Sequence, residues 1–239
     1  MNFIEGEVIA FDKPLGWTSF QLLSKFRYKL SRRLGVKKIK VGHAGTLDPL
    51  ATGVLILCTG KATKRIEEFQ RQQKEYIATL KLGATTPSFD LETEEDGTYP
   101  TAHINEGAIK EALRCFVGEI EQIPPTFSAC KINGNRAYDL ARAGEEVNLE
   151  PKLLRIDEIE LLSYEAPFAV IRVVCGKGTY IRALARDIGK ALLSGAYLTA
   201  LRRTRVGDFV ADECLKVEDI EAFVEAIKIE ADTQTIETK

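Results

Sequence analysis

The chain has 239 residues, 45% of them hydrophobic, with 33 lysines and arginines against 35 acids and a formal net charge of −2. That length and apolar content suit one large domain, or one domain and an appendage. No apolar run approaches the ~20 residues that a membrane helix needs, and the opening MNFIEGEVIAFDKP has no signal-peptide pattern. Cys58, Cys115, Cys130, Cys175 and Cys214 are scattered without C-x-x-C spacing, and His43 and His103 are the only histidines. This inventory argues against a disulfide framework or a zinc site. The chain reads as cytoplasmic, monomeric and metal-free.

In chain order, Glu7 to Phe11 reads as a short strand entering a Pro-Gly turn. Thr18 or Ser19 caps a helix running through Gln21, Leu22, Leu23 and Phe26 towards Leu30. No acid lies between Lys13 and Leu47, whereas Lys25, Arg27, Lys29, Arg32, Arg33, Lys37, Lys38 and Lys40 crowd that span. In the stretch that follows, KVGHAGTLDPLATGVLILCTGKAT, Pro49 pushes Asp48 towards an extended or turn conformation. Gly42, Gly45 and Gly53 permit tight bends there, and Val54 to Cys58 is a buried-strand pattern. Asp-Pro also opens ordinary turns. Local sequence therefore leaves Asp48 open between turn cap and reactive carboxylate.

Ala62 to Gln70 resembles a short helix, and Glu75 to Leu82 alternates as a strand with Tyr76, Ala78 and Leu80 on one face. Thr85 to Thr101 is acidic and short of core residues, which predicts an exposed loop. Asn105 caps a helix bearing Ile109, Ala112, Leu113 and Phe116. Ile123 to Leu149, stiffened by Pro124-Pro125, reads as an insertion with a short helix from Arg136 to Arg142 that carries Tyr138. Ile156–Leu162 and Ala169–Val174 are strand-like, and a helix with Ile181, Leu184, Ala185, Ile188 and Leu192 inward starts at Thr179. After Phe209 a short acidic tail contains one helix, Val217 to Lys228. Interspersed strands and helices without a regular βαβ period predict an α+β fold with a mixed sheet.

A second basic cluster, Lys177, Arg182, Arg186, Lys190, Arg202, Arg203 and Arg205, is opposed only by Asp187. A basic face on a near-neutral protein suits phosphate binding, because affinity depends on local neutralisation. Lys25, Arg32, Arg33, Lys37, Lys38, Lys64 and Arg202 are the candidate RNA-backbone contacts, with a solvated helix face as the plainer alternative. Gly176-Lys177-Gly178-Thr179 and Gly60-Lys61-Ala62-Thr63 lack the G-x-x-x-x-G-K-[ST] spacing, which excludes nucleotide hydrolysis on a P-loop.

HAGTLDPLATGVL closely resembles the motif of the TruB family of tRNA pseudouridine synthases, whose G-T-L-D-P-x-A-T-G aspartate is the nucleophile. KEYIATLKLGATTPSFD (74–90), GKGTYIRALARDIG (176–189) and LTALRRTRVGDF (198–209) resemble the family's later motifs in the same order. FDKPLGWTSF and IPPTFSACKINGNRAYDLAR also fit, so the resemblance runs from Val8 to Phe209. It implies a catalytic domain over 1–210, with a mixed, largely antiparallel sheet flanked by helices and an insertion at about 124–150 that closes on RNA. The tail, 211–239, is too short for the PUA domain that many relatives carry there.

The resemblance further implies isomerisation of uridine-55 in the T loop of tRNA, with the base flipped out of the stack. Asp48 is then the nucleophile, and Arg182 holds it through a bidentate contact. Tyr76 stacks on the uracil, Tyr180 borders the base and takes part in proton transfer, Leu201 lines the pocket, and His43 contacts the RNA or the base. The implied partner is the tRNA T stem-loop, with no cofactor, obligate protein partner or guide RNA. Each residue also has a plain reading: strand packing for Tyr76, a helix-start aromatic for Tyr180, a turn histidine for His43, core for Leu201. Two other functions stay open, an RNA-binding protein or tRNA-folding chaperone that does not use Asp48, and a synthase directed by guide RNA.

Overall fold

The computed structural model describes residues 1–127 and 149–228, together with the strand backbone at 131–132 and 135–136. Its strands are β1 (Val8–Lys13), β2 (Val41–His43), β3 (Ala51–Thr59), β4 (Lys74–Leu82), β5 (Ala84–Thr85), β6 (Gly97–Thr98) and β7 (Gly118–Gln122). They continue with β8 (Lys131–Ile132), β9 (Asn135–Arg136), β10 (Lys152–Glu165), β11 (Phe168–Cys175), β12 (Ala196–Val206), β13 (Phe209–Val210) and β14 (Leu215–Lys216). The helices are α1 (Ser19–Arg33), α2 (Ile66–Arg71), α3 (Glu106–Arg114), α4 (Ile181–Ala191) and α5 (Ile220–Glu225). None of the described helices is long and apolar enough to cross a membrane.

Ten strands form one sheet in the order β14-β1-β3-β12-β4-β11-β10-β7, with β2 added to β3 and β13 to β12. Among the described residues, only β1–β14 and β3–β12 pair in parallel. The sheet is thus mixed and largely antiparallel, as the α+β expectation has it.

Sequence pattern explains each element that frames the site. β4 alternates buried and half-buried residues because Tyr76, Ala78, Leu80 and Leu82 face one core. α1 starts in a capping box, Thr18 accepting from the Gln21 backbone and Gln21 from that of Thr18, and buries Leu22, Leu23, Phe26 and Leu30. Asn105 caps α3 through the Ala108 N–H. α4 buries Ile181, Leu184, Ala185 and Ile188 against β4, β11 and β12 residues.

Side chains alternate along β3, so Ala51, Gly53, Leu55 and Leu57 share one face. Leu55 and Leu57 pack under α1 and α5, whereas Ala51 belongs to the core under α3 and α4. Two helical packs therefore stand on one face of the sheet, and a cleft opens between them over β3, β12 and β4. Val54, Ile56 and Cys58 face the other way, against Ala62, Phe69 and Val206.

Three expectations are corrected. Residues 85–101 are not a simple exposed loop, since Thr86, Ser88 and Asp90 are buried. Their polar groups satisfy one another: the Thr86 and Ser88 hydroxyls donate to the Asp90 carbonyl at 2.8 and 3.2 Å. Arg136 lies in the strand pair β8–β9 rather than starting a helix; 137–142 fall outside the described residues. Residues 211–228 are more than a tail, because β14 pairs with β1 and Val217, Ile220, Val224 and Ile227 enter the core under α1.

Candidate active site

Asp48 sits in the cleft on the loop between β2 and β3, and that loop is anchored along its length. Ala44 N–H donates to Ile56 O at 2.9 Å, Gly16 N–H to Pro49 O at 2.8 Å and Ala51 N–H to Asp48 O at 3.0 Å. The buried Ser19 hydroxyl makes two bonds to one residue, accepting from Leu47 N–H at 2.9 Å and donating to Leu47 O at 3.0 Å. The WTS segment near the start of the chain is thereby tied to the Asp48 turn.

Arg182, in the first turn of α4, meets Asp48 Oδ2 through Nε at 3.0 Å and Asp90 Oδ2 at 3.5 Å. The side chains of Arg182 and Asp90 are 6% and 9% exposed, that of Asp48 42%. The contact to Asp48 is single rather than bidentate, since Arg182 Nη1 donates to Ser88 O at 3.1 Å and Nη2 to Phe127 O at 2.7 Å. Burial pushes the Asp48 carboxyl above its ordinary pKa, and the Asp90 and Glu92 charges push the same way against Arg182. The part of Asp48 open to solvent tempers that rise.

The Asp48–Arg182 pair forms a ridge between two lobes of the cleft. The larger, of about 280 Å³, is lined by Asp48, Tyr76, Tyr180, Arg182, Leu201 and Arg203, and also by Lys74 and Lys177. The smaller, of about 110 Å³, is walled by Leu15, Leu50, Leu91 and Leu198. Tyr180 is positioned as the residue preceding α4, its N–H donating to Gln122 Oε1 at 2.9 Å.

Lys13, Gly53, Arg203 and Tyr76 stand side by side across β1, β3, β12 and β4 at the cleft floor. Gly53, the last glycine of the motif, has φ +104°, and a Cβ there would lie 2.1 Å from Arg203 O. Only glycine fits both the backbone angle and that approach. Lys13 is fully buried, donating to Pro14 O at 2.9 Å and Trp17 O at 2.6 Å. Lys74 donates to the carbonyls of Gln70 and Gln72. Burial lowers both ammonium groups to about 8.

Of the residues singled out in the sequence, Asp48, Tyr76, Tyr180, Arg182 and Leu201 converge on the larger lobe. His43, at the end of β2, lines neither lobe. Burial and then the Arg203 charge push its imidazole below the ordinary value, which leaves it neutral at pH 7. The basic candidates divide. Lys37, Lys38 and Lys64 are exposed, and Arg32 stacks on Tyr28, 5.7 Å from the ring centre. Lys25 donates to Val217 O at 3.2 Å and Arg33 to Ile227 O at 2.8 Å, both holding the C-terminal segment. Arg202 makes two bonds to Asp12, at 3.0 and 2.9 Å.

Sequence reasoning missed Asp90, Lys74 and Arg203 as parts of the cleft, and Lys13 as a buried cation paired with Gly53 across β1 and β3. Asp90 closes the second motif, and that position was its only signal; Arg203 looks like one more member of a basic cluster.

Comparison with known proteins agrees with this geometry. Residues 31–181 match the TruB family pseudouridylate synthase N-terminal domain, and 182–237 the tRNA pseudouridylate synthase B C-terminal domain. The chain is 68% identical over 230 residues to tRNA pseudouridine synthase B of Phocaeicola vulgatus, covering 96% of this chain and 98% of that one. It is 53% identical over 228 residues to the Flavobacterium johnsoniae protein of the same name, covering 95% and 98%. Among solved structures, a chain of a Cbf5-Nop10-Gar1 complex superposes with a TM-score of 0.69 at 31% identity, over 92% of this chain. That match spans only 55% of the solved chain. The chain belongs to the TruB family of pseudouridine synthases and is an enzyme of that family.

Proposed function

We propose that this enzyme isomerises uridine-55 in the T loop of tRNA to pseudouridine, acting as a monomer in the cytoplasm without guide RNA, protein partner or cofactor. The observation that carries the reading is the Asp48 carboxylate, which stands on an anchored loop beside the buried Arg182, at the edge of the larger lobe. The relatives named tRNA pseudouridine synthase B, which match nearly end to end, support tRNA as the substrate.

The target base leaves the RNA stack, at a cost of a few kcal/mol, and enters the larger lobe against Tyr76 and Leu201. Arg182, in an ion pair with Asp48 at 3.0 Å, works against the rise that burial imposes and favours the ionised carboxylate. Asp48 attacks C1′ while the N1–C1′ bond breaks, its electron pair staying on the base. Covalent capture of the sugar divides one difficult exchange into two easier ones. The base turns, C5 bonds to C1′ and the carboxylate departs. The C5 proton leaves by way of Tyr180 and N1 gains one, so the sequence is redox-neutral.

The test is tritium release from a tRNA transcript carrying C5-labelled uridine, followed by mapping of the product. One equivalent per tRNA, mapped to position 55, is expected. Release mapped elsewhere would refute the site. RNA binding with no release would favour the chaperone reading.

A further inference from the structure

Arg203 has no part in the steps above, yet it is among the most enclosed charges of the cleft. It is 2% exposed, and no carboxylate among the described residues lies within 4.0 Å of it. Its Nε donates to Val54 O at 2.7 Å and its Nη2 to Gly45 O at 3.1 Å. The same charge opposes the rise that burial imposes on the phenol of Tyr76, its neighbour across the β12–β4 pair. A buried guanidinium that meets only neutral oxygens is unfavourable unless something else uses its charge. After burial itself, Arg203 is the next cause lowering both His43 and Lys74, so its field reaches across the floor of the larger lobe.

These contacts join two parts that the reaction must keep in register. Gly45 belongs to the loop that carries Asp48. Tyr76 stands beside Arg203 across the β12–β4 pair, and Gly53 beside it across β3–β12. A bulge between Arg203 and Arg205 shifts the register immediately beyond, where Arg205 pairs with Glu75. When the N1–C1′ bond breaks, negative charge collects on the base, and a fixed cation in the lining of the lobe favours that charge.

We propose that Arg203 is a positioning residue for the reaction. It registers the Asp48 loop, through Gly45, against Tyr76, and it supplies the larger lobe with the positive potential that the detached base requires. The proposal rests on the mechanism given above.

Arg203→Met and Arg203→Lys test it in single-turnover tritium release, with tRNA affinity and thermal melting measured on the same preparations. Arg203→Met should slow the chemical step about 100-fold, with affinity held within about threefold. Arg203→Lys, which keeps the charge, should recover at least about a tenth of the wild-type rate. A Met variant within about threefold of wild type, or Met and Lys equally slow, would overturn the proposal.

A double-mutant cycle of Arg203→Lys with Tyr76→Phe decides the matter if Arg203→Met does not fold. Action through Tyr76 predicts a double variant hardly slower than the worse single one, and additive losses contradict it. Wild-type enzyme releasing no tritium would sink the underlying mechanism and this proposal together. Wild-type turnover with an unimpaired Arg203→Met would sink this proposal alone.

Discussion

Arg182 reaches Asp48 through Nε alone, at 3.0 Å, while its two terminal nitrogens hold the carbonyls of Ser88 and Phe127. One side chain thus joins the Asp48 turn, the Asp90 loop and the backbone at Phe127. A lysine brings the charge but cannot reach three directions. Arg182→Lys should lower the single-turnover rate by about 100-fold and stability by about 1–3 kcal/mol, because the buried Ser88 carbonyl and the half-buried Phe127 carbonyl lose donors. Activity within about threefold of wild type would show that charge alone suffices.

The Asp90 charge helps to raise the Asp48 pKa, after burial and against Arg182. Asp90→Asn removes that charge and keeps an oxygen for the Glu92 N–H, which Asp90 Oδ1 accepts at 2.9 Å. Asp48 must be ionised to react, so activity falls as pH drops through its pKa. Lowering that pKa should move the acid limb of the kcat/KM profile to lower pH. An acid limb that stays in place or moves up would show that Asp90 does not tune Asp48.

Burial first, with Arg203 assisting, lowers Lys13 and Lys74 from 10.5 to about 8. Between those values the unfolded chain binds more protons, so stability rises with pH. Across pH 8 to 9 the thiols of Cys58, Cys175 and Cys214, pushed up to about 11 by burial, act in the opposite sense and offset part of the gain. Each lysine should still contribute about 1 kcal/mol over that interval, so Lys13→Met should lower the change seen in urea unfolding by about 1 kcal/mol. A gain unchanged in Lys13→Met would show that Lys13 does not titrate there.

Ser19 and Leu47 share two hydrogen bonds across 28 residues of sequence. Ser19→Ala leaves both backbone groups of Leu47 without that partner, at a cost of about 1–3 kcal/mol. The Asp48 turn loosens with them, so the chemical rate should fall more than tRNA affinity. Equal losses in both would make the contact a general support of the fold.

The elements easiest to read in the sequence are those whose cause is local. Strand β4 shows its alternation, α1 and α3 their caps, and the Asp48 turn its proline and glycines. Partnerships made over long distances leave no such trace. Lys25, Arg33 and Arg202 read as free for phosphate, but their acceptors lie 192, 194 and 190 residues away along the chain. Residues 85–101 read as exposed because hydroxyls and acids usually are, and here they fold over Arg182 and bond one another. Arg203 reads as one charge in a basic run, and only its pairing with β3 and β4 buries it.

Replacement of Asp48 by asparagine tests the central claim most directly. The amide keeps the turn's shape and cannot act as a carboxylate nucleophile. In single-turnover tritium release with saturating, verified Asp48→Asn enzyme, no release above background is predicted, with tRNA affinity within about threefold of wild type. Turnover at about a tenth of the wild-type rate or faster would contradict Asp48 as the nucleophile.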